Sequence, residues 1–187
     1  MAQSKNNVIT HGMSGKIGDL IVFRNVNGKT IVANKPAERK GELSEGQKSN
    51  QKRFQQATIY AKSAVADPAL KDEYKEAAKE GLSSYNVALA DFMHAPDISE
   101  VNVSKYNGKA GGTISISATD DFKVVEVFVT ILNQDGTLVE EGFAKQSSGG
   151  IEWIYTATAN NDSLTGDKII IRASDLPGNT TKVEQAF

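Results

Sequence analysis

The chain has 187 residues, of which 39% are hydrophobic and 24% are charged, a balance typical of folded proteins rather than disordered ones. It contains no cysteine, which excludes disulfides, thiol catalysis and thiolate metal sites. It shows neither an apolar run of about 20 residues nor the apolar centre of a secretion signal. We therefore expect no membrane span and no export by the general pathway, and cytoplasmic, virion-associated and non-classically exported locations all stay open.

Charge is unevenly distributed along the chain. Residues 1–95 carry 14 Lys+Arg against 10 Asp+Glu, a balance of +4, whereas residues 96–187 carry 7 against 13, a balance of −6. Two ordinary solvated surfaces explain this asymmetry. The alternative, which ranks below it, is head-to-tail attraction between copies or a basic end that meets an anionic partner.

The stretch HGMSGKIGDLIVF, residues 11–23, suggests a phosphate-binding loop because Gly15 precedes Lys16. That motif, G-x-x-x-x-G-K-[ST], requires a glycine and a hydroxyl at the positions where Thr10 and Ile17 stand. It also requires a following helix, whereas the next residues are rich in β-branched side chains. The glycines are therefore interpreted as sites of tight backbone bends.

Residues 1–42 are predicted to form a β-hairpin arm. Residues 17–26 and 29–33 flank Asn27-Gly28, a dipeptide that favours the two positive φ angles of a type I′ turn. This turn pairs Phe23 with Val32 and leaves both faces of the hairpin largely apolar, so each face needs a cover. We expect another subunit to cover one of them, which predicts a homo-oligomer. The predicted subunit-interface residues are Leu20, Ile21, Val22, Phe23, Ile31 and Val32.

Residues 43–95 are predicted to form a helical module that packs with the arm. Ser44 and Gln47 make a capping box at the start of the first helix. Asp67-Pro68 ends that helix and begins the second, and a third helix begins near Ser83. Apolar spacing predicts the buried stripes of the first and third helices, which are Phe54, Thr58, Ala61 and Val65, and Tyr85, Leu89 and Phe92.

From residue 97 the pattern changes to about seven short strands with alternating polarity, separated by glycine-rich turns. Seven strands in roughly 90 residues fit an immunoglobulin-like sandwich. Trp153 and Tyr155 lie two residues apart on one strand and are predicted to point into its core. The predicted fold class is therefore α+β: an N-terminal β-hairpin plus helices, a joint at Ala95-Pro96-Asp97, and an all-β immunoglobulin-like sandwich over residues 97–187.

Two parts of the chain resemble known families. The segments SATDDFKVVEVFVTIL and IIIRASDLPGNTTKV resemble bacterial immunoglobulin-like domains that end in an A-x-D-x-x-G-N-x-T hairpin, matched here by Ala173, Asp175, Gly178, Asn179 and Thr181. The segment GMSGKIGDLIVFRNVNGKTIVANKPA, followed by QKRFQQA, is similar to an uncharacterised family of small bacterial proteins with a G-x-S-G-K-x-G start. Neither family has a defined catalytic site, and such sandwiches are spacers or contact surfaces in adhesins, cell-surface arrays and phage particles. The resemblance therefore implies a structural or binding role.

The sequence offers little support for enzymatic or metal chemistry. Its two histidines, His11 and His94, lie in different regions, and neither has a second ligand at i+4. We therefore expect no catalytic residue, no cofactor and no metal. A calcium site is a lower-ranked alternative, in which oxygen ligands meet at one end of the sandwich, although turn chemistry explains the same residues. Its ligands would be Asp120, Asp121, Asp175 and Asn179.

The charge and fold patterns leave three functional hypotheses. The first is a non-enzymatic structural subunit of a filament, surface array or phage particle, oligomerising through its N-terminal arm and displaying the sandwich. The second is an adhesion module that binds a carbohydrate or a protein. The third is nucleic-acid binding, which nine basic groups against four acidic ones in residues 16–53 favour. A pI near 5.7 and the lack of a recognition helix argue against nucleic acid as a partner.

Overall fold

The computed structural model describes residues 2–4, 8–26, 28–37 and 41–187. The chain divides into two compact units, an N-terminal unit of Met1–Lys48 and a C-terminal unit of Ser49–Phe187. The described residues contain three helices and three antiparallel sheets of four strands each. The α+β class predicted from the sequence is confirmed at this level.

The N-terminal unit contains one sheet. Its strands are β1 Ala2–Ser4, β2 Gly15–Ile17, β3 Ile21–Val26 and β4 Lys29–Asn34, in the order β1-β4-β3-β2. β3 and β4 form the predicted hairpin, with Phe23 opposite Val32. Gly28 has a φ of +74°, as a type I′ turn requires, while Asn27 of the same predicted turn lies outside the described residues. Because residues 15–17 add β2 to the hairpin, this part of the glycine-rich stretch is a strand, and no helix follows Lys16 as a phosphate loop would require.

One face of this sheet is covered in the chain itself. Phe23 is 8% exposed and its face neighbour Thr30 is fully buried. Thr30 Oγ1 accepts a hydrogen bond from the backbone N–H of Gly12 at 3.0 Å, so the loop around Gly12 contacts this face. Gly12 has a φ of +75°, a conformation that glycine adopts without steric cost. The sequence therefore uses a glycine where the loop must bend to reach Thr30.

The helices are α1 Glu45–Ala66, α2 Pro68–Glu76 and α3 Ser84–Met93. Their predicted start signals are confirmed. Ser44 and Gln47 exchange hydrogen bonds between the backbone N–H of each and the side chain of the other, and Asp67 Oδ1 accepts from the backbone of Ala69 and Leu70. No helix in the described part of the chain has the length and apolar character needed to span a bilayer.

The buried face of α1 differs from the predicted stripe. The helix buries Ala57, Ala61 and Ala64, whereas Phe54 is 52% exposed. Of the predicted stripe only Ala61 is fully buried. The buried face of α1 is therefore lined by alanines, and Phe54 lies outside it.

The helices of the C-terminal unit share a hydrophobic cluster with its strands. Tyr74 of α2 is fully buried, and its ring centroid lies 4.3 Å from that of Phe122. Phe122 and Leu176, both from the strand region, pack against the buried helix residues. The sequence analysis placed a joint at Ala95-Pro96-Asp97, but the compact unit begins at Ser49, so this joint lies within one unit. Independent folding of residues 97–187 stays a prediction.

The remaining strands form two sheets. They are β5 Asp97–Asn102, β6 Thr113–Thr119, β7 Val124–Leu132, β8 Leu138–Phe143, β9 Lys145–Gln146, β10 Glu152–Thr156, β11 Lys168–Asp175 and β12 Thr180–Ala186. The sheet orders are β5-β6-β10-β9 and β12-β11-β7-β8. Alternate side chains of both sheets enter one core, which includes Trp153 and Tyr155 as predicted. Each of the seven predicted strands is present, and β9 is an additional short one.

Candidate functional site

Three aspartates of the C-terminal unit come together where the helices meet the strands. They are Asp91 of α3, Asp120 in the turn before β7 and Asp175 at the end of β11. One carboxylate oxygen from each lies within 4.8 Å of the others. Asp91 and Asp175 are buried and Asp120 is half-buried. We call these three residues the aspartate cluster.

Two of these carboxylates are held by a hydrogen-bond donor on one oxygen only. The hydroxyl of Tyr74 donates to Asp91 Oδ2 at 2.5 Å, and the backbone N–H of Phe122 donates to Asp120 Oδ2 at 3.4 Å. The other oxygens, Asp91 Oδ1 and Asp120 Oδ1, are buried and receive no hydrogen bond from a donor among the described residues. The ion pairs found among the described residues include none of the three aspartates. The cluster therefore gathers carboxylates without a basic side chain bonded to them.

Burial shifts the protonation of the cluster. Burial is the main cause that raises the pKa of Asp91 to about 7, the neighbouring Asp120 adds to this shift, and the hydrogen bond from Tyr74 opposes it. Burial also raises the pKa of Asp175, against hydrogen bonds from Asn179. Near neutral pH, Asp91 is therefore divided between its protonated and ionised forms.

Asn179 connects the β11–β12 turn to the end of α3. Its Nδ2 lies 3.2, 3.2 and 2.9 Å from the carbonyl oxygens of Asp91, Phe92 and His94, and these acceptors share its two N–H groups. The same nitrogen lies 2.7 Å from Asp175 Oδ2. The last carbonyls of a helix have no donor within the helix, so Asn179 acts as a cap for α3.

The predicted calcium ligands are brought together only in part. Asp120 and Asp175 belong to the aspartate cluster. Asp121 is exposed and pairs with His94, whose Nδ1 lies 2.5 Å from Asp121 Oδ2. Asn179 turns its amide nitrogen towards Asp175, so its side chain is a donor at this site.

The sequence analysis missed Asp91. On α3 this residue lies four positions after Val87 and three after Ala88, and all three are buried. Residues at these spacings share one helix face. An acidic residue among the apolar positions of one helix face was therefore a signal in the sequence that could have singled out Asp91.

The predicted subunit-interface residues lie on the N-terminal sheet. Leu20 is 77% exposed and Ile21 is also exposed, whereas Phe23 is buried within the chain. Val22, Ile31 and Val32 are half-buried. Other large apolar side chains of this unit are exposed as well, namely Val8, Ile17 and Val26. The exposed apolar surface of this unit therefore includes Leu20 and Ile21 but not Phe23.

Several basic groups of the same unit are paired with acids. Lys16 and Lys35 both contact Asp19, and Lys48 lies 2.8 Å from Glu45. Arg39 and Lys40, which also contribute to the basic run, lie outside the described residues. These ion pairs reduce the number of lysine side chains that are available to contact the phosphates of a nucleic acid.

The C-terminal unit also has an open cleft of about 610 Å³. Lys52, Arg53 and Gln56 of α1 line it together with Phe92 and Asn179. Arg53 Nη2 donates to Asn179 Oδ1 at 3.2 Å, which orients the guanidinium. The cleft thus presents cationic and amide groups beside an aromatic ring.

Comparisons with known proteins add little to this picture. No family model matches the chain, and no curated protein is significantly similar to it. Among solved structures, an engineered protein is similar at 18% identity with a TM-score of 0.34. The match covers 50% of this chain and 18% of that protein. A likeness this low indicates neither fold nor function.

Proposed function

We propose that this protein is a non-enzymatic structural subunit of a multi-subunit assembly such as a filament, surface array or phage particle. The N-terminal unit of one copy contacts the C-terminal unit of the next copy, and the remaining surface of the C-terminal unit is displayed. The observation that carries this proposal is the exposed apolar surface of the N-terminal sheet, which includes Leu20 and Ile21.

Exposed apolar side chains on a small sheet favour association. Leu20, Ile17 and Val26 all lie on or beside its strands and remain largely in water in the single chain. Removing apolar surface from water contributes about 25 cal/mol per Å², and exposed apolar patches mark interaction sites.

Charge supports a second copy as the partner. The N-terminal unit carries 8 Lys+Arg against 4 Asp+Glu, a balance of +4, and the C-terminal unit carries 13 against 19, a balance of −6. Opposite net charges steer the N-terminal unit of one copy towards the C-terminal unit of another. This arrangement is head-to-tail, which extends into a filament or closes into a ring.

We propose further that the two sheets of the C-terminal unit form an immunoglobulin-like sandwich. In such domains one sheet has the strand order ABED, and the other contains strands G, F and C. The orders β5-β6-β10-β9 and β12-β11-β7-β8 follow this scheme, with β8 as an extra edge strand. The hairpin from Ala173 to Thr181 supports the same assignment through its resemblance to bacterial domains of this class.

The assembly is tested by placing a charge on the N-terminal sheet. Leu20→Asp is expected to reduce the particle size seen by light scattering, because a buried anchor of an interface contributes on the order of 2 kcal/mol, or about 30-fold in affinity. Leu82→Asp is the matched control, since Leu82 is 51% exposed and lies in the C-terminal unit between α2 and α3. A parent protein that stays monomeric at high concentration, or a Leu20→Asp protein as large as the parent, would contradict the proposal.

A second candidate function is favoured by the cleft on the C-terminal unit. Its cationic and amide groups, with Phe92 beside them, suit an acidic glycan or an acidic peptide. Two results together would favour this adhesion function over assembly. The parent protein would bind on a glycan array without self-associating, and Arg53→Ala would lose that binding.

A further inference from the structure

We propose that the aspartate cluster binds one calcium ion, with Asp91, Asp120 and Asp175 as its protein ligands. The ion would join α3 to the strand region of the C-terminal unit. This inference does not depend on the proposed assembly, because every residue involved belongs to the C-terminal unit.

The spacing of the three carboxylates suits a single ion. Calcium binds oxygen at about 2.3–2.6 Å, so two ligands on opposite sides of one ion are about 4.6–5.2 Å apart. One oxygen from each aspartate lies within 4.8 Å of the others. All three are therefore able to contact the same ion with little movement of the side chains.

A second observation points to a ligand at this position. Asp91 is fully buried, and neither its Oδ1 nor the buried Oδ1 of Asp120 receives a hydrogen bond from a donor group among the described residues. The two carboxyl groups lie next to each other, so only a shared proton or a cation satisfies them. A buried oxygen without a partner loses its hydration and gains nothing in return. Tyr74 and the Phe122 N–H hold the opposite oxygens, which orients these carboxylates as outer-shell donors do in metal sites. A cation between the free oxygens supplies the missing interaction.

The chemistry of the ligands selects a hard cation. The cluster consists of carboxylates alone, and oxygen ligands suit calcium or magnesium rather than zinc or copper. Magnesium demands a nearly ideal octahedron and usually keeps several waters, whereas calcium accepts six to eight oxygens in irregular geometry. Ligands from a helix, a turn and a strand end form an irregular set that is mostly shielded from water, and this favours calcium.

The test uses the full chain after removal of metals with a chelator. Titration with CaCl2 in a calorimeter is expected to show one site per chain, and calcium is expected to raise the unfolding temperature. Asp120→Asn and Asp91→Asn should each weaken binding by about tenfold or more, as loss of a ligand charge does. Asp121→Asn is the matched control, because Asp121 is adjacent in sequence but pairs with His94, and it should bind calcium like the parent.

Three results would overturn the proposal. The first is the absence of binding heat in the calorimeter and of any rise in unfolding temperature up to about 10 mM CaCl2, a concentration above the range of weak extracellular calcium modules. Asp91 and Asp120 would then share a proton instead of binding a cation. The second is equal weakening by Asp121→Asn and Asp120→Asn. The third is binding of MgCl2 but not CaCl2. If Asp91→Asn fails to fold, the parent and Asp120→Asn, which changes a half-buried residue, still decide the question.

Discussion

A chain of hydroxyl groups leads to the buried carboxyl group of Asp91. Tyr60 and Tyr74 place their hydroxyl oxygens 2.8 Å apart, and Tyr74 donates to Asp91. Burial raises the pKa of Tyr74, so its hydroxyl keeps the proton that it donates. A buried polar network stabilises a fold when every member is satisfied. Here the unsatisfied end is Asp91 Oδ1, so the stability of this region depends on a proton or a cation at Asp91.

This dependence predicts the effect of pH in the presence of a chelator. The pKa of Asp91 is raised from 3.8 to about 7, so the folded state binds its proton more tightly than the unfolded state does. The resulting stabilisation is complete below about pH 4 and is lost as the pH rises through 7. The free energy of unfolding, measured with urea, should therefore differ less between pH 5 and pH 8 for Asp91→Asn than for the parent. Asp72→Asn, at an exposed position of α2, should keep the parent difference, and an unchanged difference in Asp91→Asn would count against this account.

At the scale of elements, the β11–β12 turn fixes the end of α3. One amide group, on Asn179, reaches three carbonyls at the end of the helix and the carboxylate of Asp175. The turn itself is closed by the Asn179 N–H, which donates to Asp175 Oδ1 at 2.6 Å. The hydroxyl of Thr181 donates a hydrogen bond to the carbonyl oxygen of Pro96 at 2.5 Å. The β11–β12 turn thus attaches α3 to the sheets.

Asn179→Ala is therefore expected to destabilise the C-terminal unit. The substitution leaves helix-end carbonyls without a donor, at a cost of roughly 1–3 kcal/mol. Chemical denaturation measures this loss directly. Thr180→Ala changes the exposed neighbouring residue and is expected to leave the midpoint nearly unchanged; equal midpoints for both variants would argue against the capping role.

Local signals in the sequence predicted the elements, whereas tertiary packing decided what they bury. The caps at Ser44 and Asp67 depend on a few consecutive residues, so they were readable. The buried face of α1, which excludes Phe54, depends on which side of the helix meets the hydrophobic cluster of its unit, and periodicity does not report this. Asp91 became a site residue only because Asp120 and Asp175 reach it from distant parts of the chain, and no spacing within the sequence encodes that meeting.

At the scale of the whole molecule, the change in composition near residue 97 does not coincide with a boundary between compact units. Tyr74 on α2 stacks on Phe122, and Leu176 from the β11–β12 turn packs on the same cluster. Lys123 and Glu73 add an exposed ion pair at 2.6 Å. The helices and the segments next to the strands therefore share one hydrophobic cluster, which is distinct from the core between the two sheets.

The hydrophobic cluster that the helices share with Phe122 and Leu176 predicts how two fragments behave. A fragment of residues 97–187 retains the core of both sheets, and about 90 residues suffice for a sandwich of this size, so cooperative unfolding is expected. However, this shorter fragment exposes Phe122 and Leu176 to water. It also lacks the helix-end carbonyls to which Asn179 donates hydrogen bonds. We therefore expect it to unfold at a lower temperature than a fragment of residues 49–187. Calorimetry of both fragments measures the difference, and Phe122→Ala should lower the midpoint only in the longer fragment, where Tyr74 packs on that ring. Equal midpoints for the two fragments would show that the helices do not stabilise the strands, and absence of cooperative unfolding in the shorter one would show that the strands require them.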